Sequence, residues 1–203
     1  MEIWRLFNKS WSNMMRRFSD VKEWAGITSF EYFCFPTDKK MIVDLRIHFT
    51  EFSGDNINII VGLANNNAFK LFKKKVPKNN RATVGAIKNG SYDGVLFFKD
   101  AGSSCWGFEA SNGKKRNVIT NIGECSFGKW VKLGFVYDCN DGITATITPY
   151  IDDEPKTEMS LPLEDIRKMT LIVAANTNNK NKGNILKGMW IDYVSIRELG
   201  EAV

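Results

Sequence analysis

The sequence predicts an all-β protein, an antiparallel sandwich carrying a short N-terminal arm that is helical or extended. Two observations carry this. In Gly128–Asp138 the apolar residues Val131, Leu133, Phe135 and Tyr137 alternate with the rest. From Ile143 to Ile151 the residues Ile143, Ala145, Ile147 and Ile151 do the same, with Thr144, Thr146 and Thr148 opposite. A period of two is that of strands with one face buried. Residues 138–142, Asp-Cys-Asn-Asp-Gly, tolerate the backbone of a reversal, so the two runs read as a hairpin. The second observation is repetition: about a dozen short runs of this kind follow one another at intervals of roughly 10 to 15 residues, with turn residues between.

Residues 1–28 form the arm and 29–203 the sandwich. In the arm, Trp4, Phe7, Trp11, Met14 and Phe18 recur at spacings of three and four, an apolar stripe if the segment is helical. The stripe suits packing on the chain's own sandwich or docking on another subunit or particle. Ser29–Phe35 is aromatic and strand-like, and Met41, Val43, Leu45, Ile47 and Phe49 alternate with polar neighbours through Thr50. Residues 57–63 form a nearly continuous apolar run. Asn65-Asn66-Asn67 reads as a turn into a strand over 68–72. Further strands are expected at 83–87, 94–99, 105–110 and 116–120, separated by Asn89-Gly90, Asp93-Gly94, Ala101-Gly102 and Asn112-Gly113. Pro162–Lys168 looks like a helical turn, and the last strands are expected at 170–175 and 189–197.

Composition narrows the classes. At 203 residues with 43% hydrophobic content, the chain suffices for one full core. The net charge of +5 suits an anionic partner without requiring one. No apolar run has the roughly 20 residues of a membrane-spanning helix, and the N-terminus lacks the layout of a signal peptide. Synthesis in the cytoplasm, with incorporation into a virion as one destination, is the expectation. Cys34, Cys105, Cys125 and Cys139 show no paired-ligand spacing and read as free thiols.

The run G-K-W-V-K-L-G-F-V-Y-D at 128–138, the threonine-alternating strand to Tyr150, Leu171–Asn176 and M-W-I-D-Y-V-S-I at 189–196 together resemble the concanavalin A-like jelly roll. That superfamily includes laminin G-like, pentraxin-like and many carbohydrate-binding modules. The resemblance spans residues 29–198 loosely and implies two antiparallel sheets, with a sheet face or edge loops available to glycans. Its motifs are packing motifs and transfer no binding residue.

Several residue groups are candidates for chemistry. A sugar site needs aromatic rings to stack on and amides to hydrogen-bond hydroxyls. Trp106, Tyr92 and Phe108, with Asn65, Asn66, Asn67, Asn176, Asn178 and Asn179 in loops, are the carbohydrate candidates; Trp130 and Trp190 sit within strand motifs and read as core. Lys70, Lys73, Lys74, Lys75, Lys78 and Arg81 form the anionic-ligand candidate, a charged hairpin edge otherwise. Its ligands would be sulfated glycan or lipopolysaccharide phosphate; nucleic acid is disfavoured because no stacking platform accompanies the lysines. Asp152-Asp153-Glu154 reads as a turn, with a calcium site as the minor alternative and no other cofactor expected. The single histidine, His48, lies on the polar face of its strand and reads as solvated.

Hydrolases of this fold carry acids at E-x-D-x-x-E spacing, which places two carboxyls for retaining chemistry. This chain has no such run, and Ser103, Ser104 and Cys105 do not form a nucleophile elbow. The expectation is therefore a non-catalytic module that binds carbohydrate or mediates adhesion. The alternative is a structural part of an assembly, such as a phage decoration, fibre or tail protein, docked through the arm or assembled as a homo-oligomer.

Overall fold

The structure is a computed structural model; it describes residues 24–29, 33–49, 57–73, 85–87, 90–139, 141–162, 168–177 and 189–199. Two antiparallel sheets form the sandwich. The first has the order β1 (Trp24–Thr28), β11 (Thr170–Thr177), β3 (Ile57–Ala64), β4 (Asp93–Lys99), β5 (Cys105–Asn112) and β6 (Arg116–Glu124). The second runs β10 (Met159–Pro162), β8 (Thr144–Ile151), β7 (Trp130–Asp138), β2 (Lys40–Phe49) and β12 (Met189–Leu199), with the short β9 (Glu154–Pro155) paired to β8. The expected hairpin is β7–β8, with Tyr137 opposite Ile147.

Between the sheets lies the main core. Val43, Leu45, Ile47, Leu133, Phe135 and Ile147 come from the second sheet, and Ile59, Val61, Phe97, Trp106, Phe108 and Val173 from the first. A second cluster packs on the outer side of the first sheet. There Ile60, Leu96, Phe98, Ile172 and Ala174 are covered by Ala68 and Phe72 of the helix α1 (Asn66–Lys73) and by Ala86, Ile87 and Tyr92. The central strands β3 and β4 of the first sheet are thus buried on both faces, while its edge strand β6 is largely half-buried or exposed. Every residue of β3 is buried, which explains the continuous apolar run of 57–63. In β2, β7 and β8 burial alternates instead, so the outward face of the second sheet meets solvent.

Three sequence expectations change. Residues 66–73 are helical, not a turn and strand: the Ala68 N–H donates to Asn65 Oδ1 at 3.2 Å, an N-cap, and Ala68 and Phe72 fall four apart on the buried side. Of the strand expected at 83–87, residues 85–87 are irregular and pack Ala86 and Ile87 onto the outer side of the first sheet, while 83–84 lie outside the described residues. Trp24–Thr28, counted with the arm, is an edge strand, with Gly26 opposite Ala174. The remaining arm residues, Trp4, Phe7, Trp11, Met14 and Phe18 among them, lie outside the described residues. So do residues 163–167 of the expected helical turn.

Candidate functional site

The pleat places one set of side chains from β2, β7 and β12 on the solvent face, and the register decides which of them meet. His48 of the central strand β2 lies opposite Trp130 of β7 on one side and opposite Trp190 of β12 on the other. One row across three strands therefore reads Trp130, His48, Trp190. In the next row Arg46 stands between Lys132 and Tyr193. A register shift between Ile191 and Tyr193 makes this possible, because the extra residue, Asp192, brings Tyr193 onto the same face as Trp190.

Trp130 is 42% exposed, Trp190 37% and Tyr193 38%, and they are the exposed large aromatics among the described residues. Their gathering on one end of one sheet face is a finding that the strand-motif reading of Trp130 and Trp190 as core missed. The signal was available: Trp130 is out of phase with Val131, Leu133, Phe135 and Tyr137, so once those are inward it must face out.

Neighbours hold the row in place. The His48 and Trp130 rings lie 5.3 Å apart at an interplanar angle of 52°. The Arg46 guanidinium sits 5.2 Å from the Trp130 ring centroid, a cation–π contact, and donates to Asp192 Oδ2 at 3.1 Å. His48 is not the freely solvated residue expected: it is half-buried between the tryptophans, and its Nδ1 is buried with no hydrogen-bond partner among the described residues. Arg197 donates to Asp44 Oδ2 at 3.1 Å, Lys40 pairs with Asp138 at 2.7 Å, and Lys132 Nζ pairs with Asp153.

The aromatic candidates from the sequence are corrected. Trp106 is 0% exposed, and Tyr92 and Phe108 are equally buried, so none offers a ring face to a sugar. Trp106 and Phe108 point into the main core, while Tyr92 belongs to the cover of the first sheet. The amides are largely committed within the fold. Asn65 caps α1 and donates to Asp93 Oδ2 at 2.7 Å, Asn67 donates to the Ser91 carbonyl at 2.6 Å, and Asn176 donates to the Phe72 carbonyl at 2.9 Å. Asn66 is exposed; Asn178 and Asn179 lie outside the described residues.

Of the basic run, Lys70 is exposed on α1 and Lys73 ends that helix, while Lys74, Lys75, Lys78 and Arg81 lie outside the described residues. The calcium reading of Asp152, Asp153 and Glu154 gives way to a turn. Asp152 and Asp153 have positive φ, Asp152 accepts the Lys132 N–H at 2.8 Å, and Glu154 pairs with Lys156 at 2.9 Å. Among the described residues no group of three or more His, Cys, Asp or Glu is placed to hold a metal.

A second polar group is buried beneath the cover of the first sheet. Glu109 accepts hydrogen bonds from the Tyr92 hydroxyl, from the Ala86 N–H at 2.6 Å and from Arg116 Nη2 at 2.9 Å. Arg116 also donates to the Ile87 carbonyl at 2.7 Å. Burial pushes the Glu109 carboxyl up from its ordinary value; the Arg116 guanidinium and the hydrogen bonds pull the other way. Burial also pushes the Tyr92 phenol well up. The arrangement ties residues 85–87 and Tyr92 to β5 and β6 as a structural staple. All four cysteines are free, and burial pushes the Cys125 thiol up to about 12. Ser103 is engaged locally, accepting the Cys105 N–H at 3.1 Å.

No family model and no curated protein matches this sequence. Solved structures do match. The carbohydrate recognition domain of Emp47p superposes with a TM-score of 0.53 at 12% identity, over 93% of this chain and 92% of that one. What this chain shares with it is the antiparallel jelly-roll β-sandwich. A legume lectin-like domain from Entamoeba histolytica matches with a TM-score of 0.52 at 11% identity, over 87% of this chain and 79% of that one. An endo-β-1,4-glucuronan lyase from the fungus Trichoderma reesei gives 0.50 at 11% identity, over 85% and 79%. Binding modules and enzymes therefore share this jelly roll, and at these identities the likeness speaks of the fold alone.

Proposed function

We propose that this jelly roll is a non-catalytic carbohydrate-binding module whose ligand lies on the outward face of the second sheet. The observation that carries the reading is the row Trp130, His48, Trp190, two exposed indoles flanking a half-buried imidazole on a rigid sheet. Indole faces stack on the C–H faces of pyranoses, and the polar groups beside them, Arg46, Asp192 and the Tyr193 hydroxyl, suit sugar hydroxyls. Strands fix such side chains with little entropy left to lose on binding. The lectin-like and carbohydrate-recognition domains among the structural neighbours agree with this reading. A lyase or hydrolase role has no comparable support: Glu109, the fully buried carboxylate among the described residues, is consumed by its staple.

Native affinity electrophoresis through gels containing soluble polysaccharides tests the reading. The wild type should be retarded by at least one of them. Trp130→Ala and Trp190→Ala should each lose at least about tenfold in affinity, roughly 1.4 kcal/mol, at unchanged melting temperature. Retardation that survives both substitutions would remove the site.

A second reading rests on the aromatic stripe of residues 1–28, which suits docking onto a larger assembly. Light scattering of the full chain beside a chain lacking residues 1–23 tests it. Truncation stops short of Trp24 because β1 is part of the sandwich. An oligomer that becomes a folded monomer supports the docking role, and two monomers of equal behaviour remove it.

A further inference from the structure

The charge and spacing of the open face go further and, resting on the platform reading, name the class of ligand. Every cation on the outward positions of β2, β7 and β12 is matched by a carboxylate on the same face: Lys40 with Asp138, Arg46 with Asp192, Arg197 with Asp44 and Lys132 with Asp153. The chain as a whole carries +5, yet this face is balanced pair by pair. A uronate or sulfate arriving here would meet Asp192 and Asp44 as closely as it met the guanidiniums, with no excess of cations among these strand pairs to draw it in. The complement of such a surface is an uncharged ligand rich in hydroxyls.

Spacing sets the second property. Trp130 and Trp190 occupy the same register row with one strand between them, so their backbones stand two inter-strand spacings apart, about 10 Å. That is the length of two pyranoses in an extended chain. In a chain whose successive sugars are each turned by half a rotation, every second sugar presents the same ring face. Two indoles at this interval therefore meet equivalent faces. Arg46 lies against the Trp130 ring and fixes its orientation, and Tyr193 continues the aromatic surface into the next row. With Nδ1 of His48 buried, Nε2 is the nitrogen left to serve the sugar between the two stacked ones.

We propose that the face takes a neutral, β-linked, extended polysaccharide chain running across the strands, with alternate sugars on Trp130 and Trp190 and the intervening sugar over His48. Calorimetric titration of the full-length protein with cellobiose, cellotriose, cellohexaose and a glucuronan hexasaccharide tests this, at low and at high salt. Cellohexaose should bind with an affinity that salt does not change, and the glucuronan hexamer at least tenfold more weakly. Cellotriose, long enough to reach both indoles, should bind at least tenfold better than cellobiose, and Trp190→Ala should erase that gain while Trp190→Tyr retains most of it. A glucuronan hexamer that binds better than cellohexaose, weakens with salt and is lost in Trp130→Ala would overturn the neutral ligand while leaving the platform standing. Equal affinities for the disaccharide and trisaccharide would overturn the across-strand course. Affinities indifferent to both tryptophans would take the platform reading down as well.

Discussion

Successive side chains on a strand point to opposite faces, so moving a tryptophan by one position exchanges core for solvent. Trp106 and Trp130 show the two outcomes. Trp106 shares its phase with Phe108 and Ala110 and packs at 6.0 Å from the Phe49 ring, with no measurable exposure. Trp130 precedes the inward set by one residue and stands in solvent beside His48. Trp106→Ala should therefore cost about 3–5 kcal/mol of stability, read from the denaturant midpoint, whereas Trp130→Ala should leave the midpoint nearly unchanged. A small loss at Trp106 would contradict its place in the core. The phase argument was available in the sequence for Trp130. For Trp190 and Tyr193 it was not, because the bulge at Asp192 breaks the count of two and is set by pairing with β2.

At the level of elements, the periodicity of each strand reports what covers its sheet. The alternating strands β2, β7 and β8 were legible, and they are the ones with an open face. The continuous run of β3 was equally legible as a strand but not as a sign of a second cover, since a short apolar run looks alike in a helix and in a doubly buried strand. That ambiguity also turned α1 into an expected strand. The cover is held by Glu109 and Arg116, whose partners in it lie 17 to 29 residues away in segments with no periodic signal. Gly85 belongs to this staple: its φ is +124°, and a Cβ there would lie 1.9 Å from Arg116 Nη2 and 2.3 Å from Glu109 Oε2. Arg116→Met leaves the buried Glu109 without its counter-charge and should cost about 3–5 kcal/mol. The loss should depend on pH. Glu109 has a folded-state pKa above its ordinary value, so the folded protein holds that proton more tightly. Stability then falls as pH rises from the ordinary carboxylate range through the raised value. In Arg116→Met the melting temperature should drop more steeply with rising pH than in the wild type. Parallel pH profiles would contradict the assignment of Glu109 as the titrating group.

For the whole molecule, the two sheets differ in what covers them, and the proposed function rests on that difference. The central strands of one sheet are buried on both sides, by the core and by the helix, Ala86, Ile87 and Tyr92. The other turns its charge-balanced, aromatic face to solvent. The sandwich architecture followed from strand spacing and the two packing motifs, which are products of core formation and so register strongly in a sequence. The proposed binding face is written in outward residues that packing does not constrain, drawn from strands 40–49, 130–138 and 189–199 and brought together by register alone. The measurement that addresses the central claim most directly is a two-dimensional amide spectrum of the ¹⁵N-labelled protein, read at the indole N–H resonances while cellohexaose is added. The resonances of Trp130 and Trp190, assigned by single substitution, should shift with saturation while that of Trp106 stays in place. Saturating shifts confined to residues of β3 to β6, with the two exposed indoles unmoved, would contradict it.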